Sequence, residues 1–212
     1  MSLTNLQLID LSKRMGFPLA GVFYKSELKD QPLKYNTSYV VNLEDEYDEQ
    51  GRPNNGSHYV CCYVKKCPNG NIQPIAFDSY GVAPCKEIVD FIGLGHTPPY
   101  STKDIQSVMN SACGWFCCAF LYFITAFPQR TNSLYDDCEH FTDLFDDLNK
   151  SSNWKKNEYM LKHFFRDSRK EVRDKNPIDV FKGCEFKPLN VDGIANPTTI
   201  LTTSKESSGL PP

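Results

Sequence analysis

The spacing of apolar and polar positions along the chain changes several times, and each change marks an element. Leu3, Leu6, Leu8, Ile9 and Leu11 recur at helical spacing and stop at Gly16, which predicts a first helix closed by a glycine. From Pro18 to Tyr24 the pattern reads as extended chain and turn. "SYVVNL" reads as a β-branched strand, and an acidic loop, "EDEYDEQGRPNNG", separates it from a second strand, "HYVCCYV". "CPNGN" predicts a hairpin, because Asn-Gly accepts the positive φ of a tight turn, and it leads into a third strand, "IQPIAFD", whose last residue is Asp78.

"PCKEIVDFI" reads as a short helix with Pro84 near its first turn, "GLGHTPPYSTK" as irregular loop, and "DIQSV" as a brief strand. The run from Cys113 to Phe127 is apolar on every face, which predicts a buried helix ended before Pro128. Two amphipathic helices follow, over about 136–148 and 154–168. Beyond Cys184 the chain turns to Pro, Asn, Thr, Ser and Gly, so residues 1–184 read as one domain and 185–212 as a C-terminal tail. The order predicts an α+β domain whose mostly antiparallel sheet is packed on one side by the hydrophobic helix.

Composition adds limits. The chain has 212 residues, 40% hydrophobic and 23% charged, enough for a real core. Its net charge of −3 and pI near 5.8 exclude a protein whose main task is coating nucleic acid. The nine cysteines include adjacent pairs inside apolar runs, Cys61-Cys62 and Cys117-Cys118. An odd count with apolar neighbours suits reduced thiols in a reducing compartment better than a disulfide framework. The opening residues carry no signal-peptide pattern, and the run Trp115 to Phe127 is shorter than the ~20 residues a bilayer requires, so a soluble, non-secreted, non-membrane chain is expected. No metal site is expected, because no Cys-x-x-Cys pair faces a second one at finger spacing.

The stretch "QSVMNSACGWFCCAFLYF" carries the candidate chemistry. Cys113 falls at the start of the buried helix, where the helix dipole favours a thiolate, the nucleophilic form. An imidazolium beside it has the same effect. Of the four histidines, His140 and His163 sit in charged amphipathic helices and His96 in a Pro/Gly loop. His58 stands at the start of a strand. A base that must keep one tautomer needs an acceptor on its other ring nitrogen, and the hairpin brings the strand ending in Asp78 beside His58 if the register allows. Gln106, seven residues before Cys113, is placed to join the Cys113 backbone N–H as an oxyanion hole. Each residue alone has a plainer reading, as core thiol, packing histidine or turn opener. Spacing leaves a cysteine hydrolase and an ordinary α+β domain both open.

"GSHYV", "IAFDSYG" and "QSVMNSACGWFCCAFLYF", in that order, resemble the adenain family, the maturation cysteine proteases of adenoviruses with relatives in virophages and Maverick/Polinton elements. The "LIDLSKRMGFPLAGVFYKSEL" opening also resembles the family's N-terminal segment, so the likeness runs over about Leu8 to Phe127 and more loosely over "NEYMLKHFFRDS". The resemblance implies a permuted papain-like fold with a central mixed or antiparallel sheet packed on the nucleophile-bearing helix. It implies His58 as general base and acid, Asp78 as its orienting acid, Cys113 as nucleophile, and Gln106 with the Cys113 N–H as oxyanion hole. Tyr59, Gly114 and Trp115 are then expected at the substrate cleft. The implied activity is cleavage of capsid and core precursor proteins at small-residue, Gly-containing sites during virion maturation, by a monomer acting in the virion and host cytoplasm.

The chain departs from the family at several points. Tyr59 stands where the family usually has Trp, and Asp78 where adenoviral enzymes carry Glu. The position of the thiol that pairs with the adenoviral activating peptide is Gly95, so no cofactor is expected and a peptide activator has no thiol to engage there. DNA, a cofactor of the basic adenoviral enzymes, is a lesser expectation for this acidic chain. Residues 150–175 carry nine Lys and Arg against four acids, but 136–147 carry six acids and no Lys or Arg, which reads more simply as two solvated helix faces of opposite sign. The rival readings are a SUMO or ubiquitin-like deconjugating protease, where Asp usually stands at the position of Ala112, and a capsid-associated binding protein with a decayed site.

Overall fold

The computed structural model describes residues 2–54, 56–126, 133–146, 148 and 153–166. The proposed tail, 185–212, lies outside them, as does the His163 side chain. The chain is α+β, with a four-stranded mixed sheet covered on both faces.

Helix α1, Asn5–Met15, begins at Thr4, whose side chain accepts from the Gln7 N–H while Gln7 reaches back to the Thr4 N–H. It ends at Gly16, whose left-handed φ of 77° lets its N–H close on the Ser12 carbonyl. Strand β1, Leu19–Tyr24, follows, then a 3-10 turn over Lys25–Asp30 and strand β2, Thr37–Asn42. Strands β3, Tyr59–Lys66, and β4, Ile72–Phe77, form the hairpin predicted at "CPNGN", with Gly70 at φ 86°. The sheet order is β1-β2-β3-β4, with β1 parallel to β2 and the other pairs antiparallel.

Side-chain alternation divides the sheet between two cores. Val40, Cys61, Ile75 and Phe77 face the first; Tyr39, Val41, Val60, Cys62 and Ala76 face the second. The adjacent Cys61-Cys62 pair is therefore split between opposite faces, both thiols buried and both free. The hydrophobic helix expected on one side of the sheet covers the first face, and the second face is covered as well. Helix α2, Lys86–Ile92, and the 3-10 turn close the second face, which explains why β2 and β3 are apolar on consecutive positions. Beside β4, the edge is occupied by the segment near Tyr100, whose Pro99 carbonyl accepts from the Ala76 N–H.

Helix α3, Cys113–Ala126, lies against the first face, flanked by α1, α4 (Leu134–Thr142) and α5 (Asn153–Arg166). Phe77 stacks on Phe120 with ring centroids 4.4 Å apart, and Phe141 meets both edge-on at 5.6 and 5.5 Å. The Cys117 thiol donates to the Tyr59 carbonyl. These contacts clamp the start of β3 and the end of β4 to α3. Two expectations are corrected. Leu19–Tyr24 is a strand, and "DIQSV" is not one: the Ile105 and Gln106 N–H groups both donate to the single carbonyl of Ser79. Among the described residues no helix is long and apolar enough to cross a membrane.

Candidate active site

The β3–β4 pairing places the histidine. Cys61 pairs with Phe77 and Cys62 with Ala76, and the same register continued past the ladder sets His58 opposite Tyr80 and diagonal to Asp78. On its other side the His58 carbonyl accepts from the Leu43 N–H, which extends the β2–β3 ladder and fixes the backbone where the side chain projects. His58 Nε2 lies 2.7 Å from Asp78 Oδ1. A carboxylate only accepts, so Nε2 carries the proton and donates, leaving Nδ1 as the nitrogen turned away from Asp78.

His58 Nδ1 is buried and completes no hydrogen bond of normal geometry among the described residues. The sulfur of Cys113 is close enough to perturb the ring all the same. Burial, the largest influence, disfavours the imidazolium, but the Asp78 carboxylate and then Cys113 outweigh it and push the ring up to about 9. The thiol moves the opposite way. Burial is again the largest influence and raises Cys113, but the His58 ring and the backbone N–H groups of Tyr59 and Gly114 bring it below its ordinary value. The two shifts favour a thiolate–imidazolium pair. By contrast Cys61, Cys62, Cys117, Cys118 and Cys138 are buried thiols raised first of all by desolvation. Of the eight described cysteines, all free, only Cys113 is both at a helix start and lowered.

Gln106 is 1% exposed and its amide is fully engaged. Oε1 accepts from the Ser79 hydroxyl at 2.7 Å, and Nε2 donates to the Tyr80 hydroxyl at 3.3 Å and to the Asn110 carbonyl at 3.2 Å. The sequence expectation placed the amide to join the Cys113 N–H at an oxyanion; in this structure its three partners lie in the turn after β4 and in the loop leading to Cys113.

Tyr59, Gly114 and Trp115, expected at a cleft, are all buried. The Tyr59 hydroxyl donates to Asn5 Oδ1 at 2.6 Å, and burial, with the Tyr24 and Cys113 charges behind it, pushes the phenol up to about 12. Gly114 lies against α1, where an added Cβ would sit 3.2 Å from Leu8 Cδ2 and 3.4 Å from Leu3 Cβ. Trp115 is buried and meets Phe165 edge-on at 4.8 Å. His96 is exposed, its Nδ1 beside the Thr97 carbonyl, and His140 lies in the last turn of α4.

Four residues near the site had no role assigned from sequence: Asn5, Ser79, Tyr80 and Asn110. Extending the hairpin register through "FDSYG" is the signal that finds Tyr80, whose ring lies flat on His58 with centroids 4.3 Å apart and planes 19° apart. The other three are held by tertiary contacts that no local pattern announces. Among the described residues no group of three or more His, Cys, Asp or Glu is gathered where it would hold a metal ion. Neither a family model nor a curated protein matches the chain.

Proposed function

We propose that the chain is a thiol endopeptidase of the adenain type, with a permuted papain-like arrangement, that cleaves capsid and core precursor proteins at Gly-containing sites. The observation that carries this reading is the placement of His58 between Asp78 and Cys113, with the ring raised and the thiol lowered together. A binding module with a decayed site has no need of that paired shift.

Acyl transfer follows from the geometry. The Cys113 thiolate attacks the scissile carbonyl carbon, and the carbonyl electron pair moves onto oxygen. Gln106 Nε2 and the Cys113 N–H receive that oxyanion, a contribution to which single donors commonly add ~10² to 10³ in rate. The His58 imidazolium passes its Nδ1 proton to the amine nitrogen as the C–N bond breaks, leaving a thioester on Cys113. The neutral ring then removes a proton from water, which attacks the thioester, releases the new C-terminus and restores the ion pair. Asp78 keeps the proton on Nε2 throughout.

The substrates are precursor proteins of the virus or virus-like element that encodes the chain, met in the virion and host cytoplasm by a monomer. The test is incubation with those precursors, reading new termini by mass spectrometry. Termini beside Gly or another small residue, absent with Cys113→Ala, support the reading. No new termini with the intact chain, or equal cleavage by Cys113→Ala, overturns it. Cleavage only of a diglycine-linked ubiquitin-like fusion would assign the site to deconjugation.

A further inference from the structure

Tyr80 touches three functional groups at once. Its ring stacks on His58 at 4.3 Å, its backbone N–H donates to Asp78 Oδ1 at 2.8 Å, and its hydroxyl accepts from Gln106 Nε2 at 3.3 Å. Asp78 Oδ1 is also the atom that accepts from His58 Nε2, so one carboxylate oxygen holds both the base and the residue stacked on it. Turn chemistry produces this arrangement. Asp78 begins the turn after β4, the Gly81 N–H closes on the Asp78 carbonyl, and Gly81 takes φ 67° against the Thr102 backbone, where a Cβ would come within 2.4 Å of the Thr102 carbonyl oxygen. Ser79 in the same turn supplies both its carbonyl and its hydroxyl to the segment carrying Gln106.

Resting on the peptidase reading, we infer that Tyr80 is a positioning residue that couples the general base to the oxyanion-binding amide: its ring holds the His58 imidazolium face-on, and its hydroxyl keeps Gln106 Nε2 oriented until a substrate oxyanion takes that hydrogen bond. Three Gln106 contacts differ in strength. The Ser79 bond at 2.7 Å is short and buried and fixes Oε1 as the acceptor end. The Asn110 carbonyl takes one Nε2 proton. The Tyr80 hydroxyl is a neutral acceptor at 3.3 Å, a weaker partner than an oxyanion, and is therefore the one displaced when charge develops.

The titratable groups facing the His58 ring are Asp78 beyond β4 and Cys113 at the start of α3. Those facing the Tyr80 phenol are Cys113, Asp78 and Asp104, and burial with their negative charges keeps the phenol protonated. A flat aromatic face over an imidazolium favours its charged form.

The test uses the full chain with Tyr80→Phe and Tyr80→Leu, and three readouts: iodoacetamide alkylation of Cys113 against pH, inhibition by a peptide aldehyde ending in glycinal, and the His58 titration by NMR. Iodoacetamide reports the thiolate; the aldehyde, whose hemithioacetal oxygen occupies the oxyanion position, reports the amide. Tyr80→Phe removes an acceptor that the oxyanion must displace, so it is expected to tighten the aldehyde about fivefold, the worth of one hydrogen bond no longer broken on binding, while leaving the alkylation profile and His58 titration where they are. Tyr80→Leu is expected to tighten the aldehyde likewise and to lower the His58 titration by about half a pH unit. Aldehyde affinity in Tyr80→Phe equal to that of the parent overturns the coupling, as does an unmoved His58 titration in Tyr80→Leu. Failure of the peptidase reading shows itself differently: Cys113 of the unaltered chain would alkylate no faster than the other accessible thiols. The His58 titration in Tyr80→Leu then still decides whether the stack holds the ring.

Discussion

The Ser79 hydroxyl donates to Gln106 Oε1 at 2.7 Å, both side chains buried, and so decides which end of the Gln106 amide is the donor. Without that bond only the weaker contacts of Nε2 to the Asn110 carbonyl and the Tyr80 hydroxyl oppose a rotation that would turn the amide oxygen toward a developing oxyanion. Ser79→Ala is therefore expected to lower kcat by about tenfold with KM little moved, since the contact is realised in the transition state. Gln106→Ala should cost more, on the order of 10² to 10³ in kcat. Steady-state kinetics on a peptide cleaved by the parent chain checks both, and equal values for Ser79→Ala and the parent would mean that the amide is oriented without Ser79.

On the proposed peptidase reading, the coupled shifts of Cys113 and His58 set the pH range of activity. Cys113 is lowered, so the thiolate forms below the ordinary thiol range and turnover rises as pH climbs through that lowered value. His58 is raised to about 9, and the imidazolium that must protonate the leaving amine is lost as pH passes that point, so turnover then falls. A bell-shaped kcat/KM profile with its alkaline limb near 9 is expected. An alkaline limb near the ordinary imidazole value would show that the ring is not stabilised by Asp78 and Cys113.

Asp78→Asn removes the charge while keeping the shape. The Asp78 carboxylate is the strongest influence raising the His58 ring, so the variant should lower that value and with it the thiolate fraction of Cys113 at mildly acidic pH. Iodoacetamide alkylation of Cys113 at pH 6 should slow, and peptidase turnover should drop by about 10²-fold as the ring loses its fixed tautomer. Unchanged alkylation would separate Asp78 from the ion pair.

Phe120 tests the clamp rather than the chemistry. Its ring stacks on Phe77 and meets Phe141, joining α3 to the strand that ends beside Asp78. Phe120→Ala leaves a cavity in a fully buried position and should destabilise the domain by about 3–5 kcal/mol. Urea unfolding measures this, and a loss under about 1 kcal/mol would show that the helix is held elsewhere.

Sequence alone determined the parts whose signals are local. Asn69-Gly70 marks the β3–β4 hairpin, short runs of β-branched, aromatic and Cys residues mark β2 and β3, and the unbroken apolar run after Ala112 marks α3 and puts Cys113 at its start. Strand β1 was hidden because Pro18 and Gly21 dilute its pattern and because a parallel partner is supplied only when β2 arrives beside it. "DIQSV" has strand-like residues yet forms none, since its N–H groups are spent on the Ser79 carbonyl rather than on a ladder. The second covered face of the sheet was equally hidden: whether consecutive apolar positions meet one helix layer or two depends on where α2 packs. At the site, residue types and spacing suggested His58, Asp78, Gln106 and Cys113, but their hydrogen bonds belong to the fold. Which His58 nitrogen meets Asp78, which partners hold the Gln106 amide, and that Tyr59 and Trp115 are buried were all decided by long-range contacts between elements, because a side chain's bonds depend on what the chain brings within a few ångströms rather than on its neighbours in sequence.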